Sequence, residues 1–363
     1  MSRKYILPIF LVIQIIMVRI AAQFPEVIEN YYSNGIYLCI SKISHTLFGK
    51  IPFSMGDVMY IVLILLIIKY IFKNRKNIFS RTAWKLYWKS FFLKITSCLS
   101  IIYFMFHLLW GMNYYRLPLF EKMEMDKEYT EAELMVFTKK LIAKTNEIQL
   151  KITTDSLQKI ENPLTEKMIY QQSVIGYKNL SKEYPYLRYE IPSVKNSLVS
   201  LPLTYMGFGG YLNPFTNEAQ VNYKIPKYNF PTTSTHEMAH QLGYASESEA
   251  NFIGFLASIE NENIYFQYSG YAYALKYCLA NLERFGEGKS EKFLPLINPG
   301  ILKNFQESRD FWDSYQTPID TFFHFFYDKF LKANQQKDGL ESYNKFVGLM
   351  MGYFHKNPEA FGF

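Results

Sequence analysis

Cysteine and histidine are both scarce in this chain of 363 residues. Its three cysteines, Cys39, Cys98 and Cys278, lie far apart. That spacing excludes a disulfide framework and a cysteine-rich metal cluster. Only six histidines occur, so two of them at a chemically meaningful spacing stand out. Acidic residues are nearly missing from the first 112 positions, where Glu26, Glu29 and Asp57 face 13 of the 39 Lys and Arg. The remainder holds 26 basic and 29 acidic residues, so the formal net charge of +7 belongs wholly to the amino-terminal third. It reports topology rather than a basic groove, and no nucleic-acid partner is expected. Internal repeats and low-complexity tracts are also absent.

What the chain has is aromatic and apolar. Phe, Trp and Tyr make up 18% of it, a composition that suits bilayer interfaces and a large core and excludes disorder. Three apolar runs, at about 5–22, 58–72 and 91–110, each approach the roughly 20 residues a helix needs to cross a bilayer. The first could be a signal peptide after Arg3 and Lys4. Arg19 interrupts its end and no small-x-small cleavage site precedes Gln23, so a retained anchor is preferred. Buried helices of a soluble protein are the plainer alternative for all three runs. Between the second and third runs stand Lys73, Arg75, Lys76, Arg81, Lys85 and Lys89 without an acid, whereas the preceding loop has only Lys42 and Lys50. The positive-inside rule puts the basic loop in the cytoplasm and everything after Trp110 outside. Residues 1–112 are therefore expected to form a membrane region and 113–363 an extracytoplasmic domain.

The outer part reads as mostly helical. Helices are predicted at 130–145, with an acidic start and a lysine-rich end, and at 166–180, 265–283 and 320–333. Short β-prone pieces, 198–201 and 219–223, lie among Pro, Gly and Asn. Gly207, Gly209 and Gly210 resemble a phosphate loop only superficially, and a turn is expected there.

The chemistry lies in His236-Glu237-Met238-Ala239-His240. On a helix the two histidines fall one turn apart on one face, where their imidazoles can bind one Zn²⁺. Glu237 is placed to act as general base on a water whose pKa zinc lowers toward about 7. The run Pro231–Thr235 offers a helix start and Gly243 a stop. A third ligand is available downstream. Ser246 and Glu249 form a capping-box pattern that would occupy Glu249, while Glu247 would open the next helix with Asn251 one turn later. Glu247 is thus the preferred third ligand, Glu249 the alternate, and Asn251 a carboxamide that could orient a ligand histidine. The plainer alternative is an amphipathic helix with two surface histidines.

The stretch from Glu247 to Asn251 resembles the Glu-x-x-Ala-Asp/Asn element that follows HExxH in gluzincin metallopeptidases. That resemblance implies zinc ligation by Glu247. The gap from His240 to Glu247 is shorter than gluzincins usually have. The whole chain also resembles an uncharacterised family of bacterial membrane proteins with three amino-terminal membrane helices. Trp110–Arg116, Asn213–Ala219 and the 327–343 stretch carry that likeness. The expected fold is α+β and mainly helical, with three transmembrane helices followed by a zincin-like metallopeptidase domain bearing a small sheet.

The expected function is a zinc-dependent peptidase held in the lipid bilayer of a bacterial inner membrane, acting on a peptide or protein. A sensor or scaffold with a structural or vestigial zinc site, and a zinc amidase acting on cell-wall material, remain open. Residues 219–223 could be the edge strand along which a peptide aligns. Tyr244, His324, Arg309 and Tyr343 are candidate oxyanion donors. His107 reads as a hydrogen-bonding residue facing a helix bundle, while His45 and His355 have no partner motif.

Overall fold

The computed structural model describes residues 3–78, 80–334 and 343–363. Three of its helices are long and apolar enough to cross a membrane: 3–21, 55–76 and 85–109. Most of their apolar side chains, such as Ile16, Leu65 and Ile101, face outward, as a lipid solvent requires. The first and third pack side by side, and the second touches its neighbours sparsely. Gln14 donates to the Ser100 hydroxyl at 2.9 Å across the packed pair, the kind of polar link that joins helices in lipid.

The connection between the first two membrane helices is helical. It runs through Pro25–Val27, a π-helical stretch Ile28–Ile36, and Tyr37–Phe48. This segment packs into the same unit as the residues that follow the third membrane helix. Glu29 pairs with Arg116 (2.8 Å) and Lys122 (2.6 Å), and Ser33 donates to Asn113 at 2.9 Å. Burial alone would raise the Glu29 carboxyl, but the bidentate Arg116 and the Lys122 ammonium hold it down at about 2.

Beyond the third membrane helix the molecule is mainly helical with one small sheet. Glu131–Thr153 begins on a capping box made by Thr130 and Glu133 and runs eight residues past the expected end at Thr145. Glu166–Leu180 matches its expected bounds, and Ile264–Phe285 and Pro318–Ala333 are slightly longer than expected. At the centre lies Glu247–Ile259, in which every residue from Ser248 onward is buried. Its middle, Phe252–Ala257, is apolar on all sides, as suits a helix inside a core. Phe252 and Phe255, fully buried, each contribute about 1.5–3 kcal/mol of hydrophobic stabilisation.

Strands β1 (Val194–Asn196), β2 (Gly210–Leu212) and β3 (Ala219–Val221) form a mixed sheet in the order β1-β3-β2. β3 pairs parallel to β1 and antiparallel to β2. Two expectations are corrected here. The 219–223 stretch is not an edge; β3 is central, and β1 and β2 are the two edge strands, of which β2 lies beside the motif helix. Residues 198–201 do not form a strand either, because the Asp57 carboxylate captures the Ser197 hydroxyl and the Leu198 amide. The chain then turns into the short helix Ser200–Tyr205.

Candidate metal centre

The motif helix spans Phe230–Gln241 and starts a turn earlier than the Thr-Ser run suggests. Those hydroxyls lie inside the helix instead of capping it. Ser234 donates to the Phe230 carbonyl, and Thr235 donates to the Gly254 carbonyl of the next helix, both at 2.8 Å. The chain leaves the helix through Leu242 and Gly243, whose φ of +83° is a left-handed conformation that favours glycine. The last carbonyls of a helix lack internal partners. Here three side chains from two segments supply them: Trp110 Nε1 donates to His240 O (3.2 Å), Tyr37 OH to Gln241 O (2.8 Å) and Arg116 to Leu242 O (3.3 Å). The end of the motif helix is thereby fixed to the segments flanking the membrane helices.

The turn through Gly243 brings Glu247 back over the histidines, so a short connection suffices. Nε2 of His236 and Nε2 of His240 are 3.1 Å apart. Glu247 places Oε2 3.4 Å from the first and Oε1 3.7 Å from the second. Among the described residues, these three form the one cluster of His, Cys, Asp and Glu side chains able to hold a metal. His240 Nδ1 lies 2.7 Å from the Tyr244 carbonyl. A proton on Nδ1 satisfies that carbonyl and leaves the Nε2 lone pair facing the cluster. Burial opposes ionisation of Glu247, but the two histidines hold its carboxyl well below the ordinary range. Two imidazole nitrogens and a carboxylate suit zinc.

Glu237 sits beside this cluster, 3% exposed, and its Oε2 is buried without a hydrogen-bond partner. Burial pushes its carboxyl up to about 7, against the pull of His236 and His240. An orphaned buried oxygen is costly, and a water or metal-held group in the cluster would satisfy it. The residues present therefore fit a bound zinc. Gly210 of β2 lies against Glu237, for a Cβ built there would stand 2.5 Å from Oε1.

Glu249 and Asn251 are placed differently from expectation. Glu249 makes no capping box with Ser246, whose side chain caps nothing; its Oε1 accepts from the Leu119 amide at 2.6 Å. Two residues along a helix rotate a side chain by about 200°, so Glu249 points away when Glu247 faces the histidines. Asn251 borders the cleft, but its Oδ1 accepts from Tyr273 OH at 2.7 Å. The orienting contact on His240 comes from the Tyr244 backbone instead.

Tyr327 is the contributor that motif reading misses. From the helix Pro318–Ala333 its hydroxyl donates to Glu247 Oε1 at 2.5 Å. His324, one turn earlier, borders the same cleft. Tyr244 is buried beneath the Arg116 guanidinium, 4.1 Å from its ring, and Arg309 is held by Gln306; neither borders the cleft. The Tyr343 side chain lies outside the described residues. His107 bonds the Tyr103 carbonyl (3.0 Å), His45 contacts Asn217 and Gln241, and His355 lies 3.6 Å from Glu133.

His236, His240 and Glu247 lie in a cleft of about 1320 Å³. Its walls include Ile61 and Ile64 of the second membrane helix, Phe106 of the third, and β2.

A family model matches residues 32–351, and the chain belongs to that family, the proteins of unknown function designated DUF3810. No curated protein and no solved structure matches it.

Proposed function

We propose that this protein is a membrane-anchored zinc hydrolase that cleaves peptide bonds. The observation that carries the reading is the convergence of His236, His240 and Glu247 next to the unpartnered Oε2 of Glu237. His236, His240 and Glu247 would hold the zinc. When bound, zinc would polarise the substrate carbonyl and lower the pKa of its water toward about 7.

Glu237 then serves as the general base, taking a proton on Oε2 and passing it to the departing amine. His240 keeps its Nε2 turned to the cluster through the Tyr244 carbonyl. Tyr327 fixes the Glu247 carboxylate through its hydrogen bond. The open side of β2, with Gly210 against Glu237, supports a peptide substrate, since an extended chain can add to such an edge through backbone hydrogen bonds. A purely structural zinc site has no use for a buried unpaired carboxylate, which disfavours the scaffold reading.

The basic loop between the second and third membrane helices supports a cytoplasmic position for that loop. The connection between the first two membrane helices packs against residues after Trp110, which supports both lying on the opposite face. The proposed location is therefore the bacterial inner membrane with the zinc site outside.

The test uses the full-length protein in detergent. Glu237→Gln should retain zinc while lowering peptide hydrolysis by at least about 100-fold, as loss of a general base does. Hydrolysis at the wild-type rate in that variant would remove the mechanism.

A further inference from the structure

We propose that the substrate is itself held in the bilayer: the juxtamembrane stretch of a membrane-anchored polypeptide enters the cleft sideways and pairs along β2. The entry lies between the second membrane helix and the helix Pro318–Ala333. This inference rests on the peptidase reading and specifies its substrate class.

Three observations converge on it. First, the cleft that contains His236, Glu237 and Glu247 is continuous with the membrane region, because Ile61, Ile64 and Phe106 form part of its wall. Those residues belong to helices suited to a bilayer, so the apolar arm of the cleft opens where lipid chains begin. Second, β2 connects the site to that opening. It starts at Gly210 against Glu237. One residue on, Tyr211 donates its hydroxyl to Asp57 at the start of the second membrane helix and stacks on Tyr60, with ring centres 6.3 Å apart. A chain paired with β2 is thus led from the general base toward the membrane.

Third, the helix Pro318–Ala333 has two faces with different partners. Its inner face carries Tyr327 on Glu247, and Phe330 packs on Phe106 of the third membrane helix at 6.1 Å. Away from the cleft it shows Ile319, Phe322 and Phe325, each more than half exposed, while the equally exposed Phe326 borders the cleft. Such an aromatic face next to a membrane helix belongs in the interfacial layer of the bilayer. The helix then lies on the membrane as one jamb of the opening. A polypeptide is favoured over an acylated lipid because the open side of β2 offers alternating backbone donors and acceptors that an acyl chain cannot use.

The test uses full-length protein, loaded with zinc, in vesicles of phosphatidylcholine and phosphatidylglycerol. Three probes carry the same degenerate octapeptide: one joined to a poly-leucine membrane helix, one joined to a palmitoyl chain, and one free. Cleavage is followed by mass spectrometry. In parallel, the Glu237→Gln variant carries a photoreactive benzoylphenylalanine at Ile64, or at Ile16 on the outer side of the first membrane helix as control.

The helix-anchored probe should be cut on the order of 100-fold faster than the free one, as confinement beside the site permits, and faster than the palmitoylated one. Cross-links to it should form from position 64 and not from 16. Equal cleavage of free and anchored probes, with no cross-link at 64, overturns membrane entry while leaving the peptidase reading intact. Preference for the palmitoyl probe overturns the polypeptide anchor in favour of a lipid one. Cross-linking at 64 without cleavage of any probe by the wild type supports entry from the bilayer and overturns the peptidase reading.

Discussion

His240 is held from two directions, by the Tyr244 carbonyl on Nδ1 and by Glu247 facing Nε2, while Glu247 is held in turn by Tyr327. Removing a group that orients a metal ligand commonly costs 10- to 100-fold in metal affinity. Tyr327→Phe should accordingly weaken zinc binding by about tenfold in a chelator competition and leave the fold intact by circular dichroism. Unchanged affinity would mean that the hydroxyl does not position Glu247. At this scale the sequence was most informative where the chemistry is local. His236, Glu237, His240 and Glu247 fall within two consecutive helices, so helical spacing alone brings them to one place. Tyr327 comes from 80 residues further on, and no local pattern announces it beyond its one-turn spacing from His324. A capping-box pattern engages Glu249 in the sequence, and one-turn spacing from Glu247 places Asn251. Their contacts, to Leu119 and Tyr273, depend on tertiary neighbours that spacing does not reveal.

The motif helix and Glu247–Ile259 approach each other closely because Gly254 has no side chain: a Cβ there would stand 2.7 Å from the His236 nitrogen. Backbone cannot yield as a flexible side chain does, and overpacking of this kind costs about 1–3 kcal/mol. Gly254→Ala should lower stability by about that amount in urea unfolding and also displace His236, reducing zinc occupancy; wild-type stability together with full zinc occupancy would contradict the packing. At the other end of the motif helix, Trp110→Phe removes the donor to His240 O and should cost about 1 kcal/mol. Helices were legible because capping residues and apolar periodicity are local, as at Thr130 and Thr165. The strands are only three residues long. Which is central is decided by pairing across the chain, so Ala219–Val221 could be read as β-prone but not as interior.

Over the whole molecule, the segment after the first membrane helix is tied by buried charge to the segment that leads from the third membrane helix toward the motif helix. Glu29 ionises at about 2 in the folded protein, below its ordinary 4.5. A carboxyl so depressed stabilises the fold above about pH 4.5, and that contribution fades as pH falls toward 2. The shift corresponds to something on the order of 3 kcal/mol. Glu29→Gln should therefore destabilise the detergent-solubilised protein at pH 7, with the difference from wild type shrinking progressively below pH 4.5; a gap independent of pH would contradict the pairing. Reporter fusions at Arg81 and Phe363 should fall on opposite sides of the membrane, as the basic loop requires. The three spans were readable from hydropathy because lipid imposes a simple rule on composition. The docking of Glu29, Tyr37 and Asp57 was not, because their partners Arg116, Gln241 and Ser197 lie far along the chain. The central claim is that His236, His240 and Glu247 form one zinc site served by Glu237. Metal analysis and peptide hydrolysis on purified full-length wild type, His240→Ala and Glu237→Gln test it directly. Equimolar zinc in wild type and Glu237→Gln, little in His240→Ala, and hydrolysis in wild type alone are the predicted results. Zinc content unaffected by loss of His240, or hydrolysis unaffected by loss of Glu237, would contradict it.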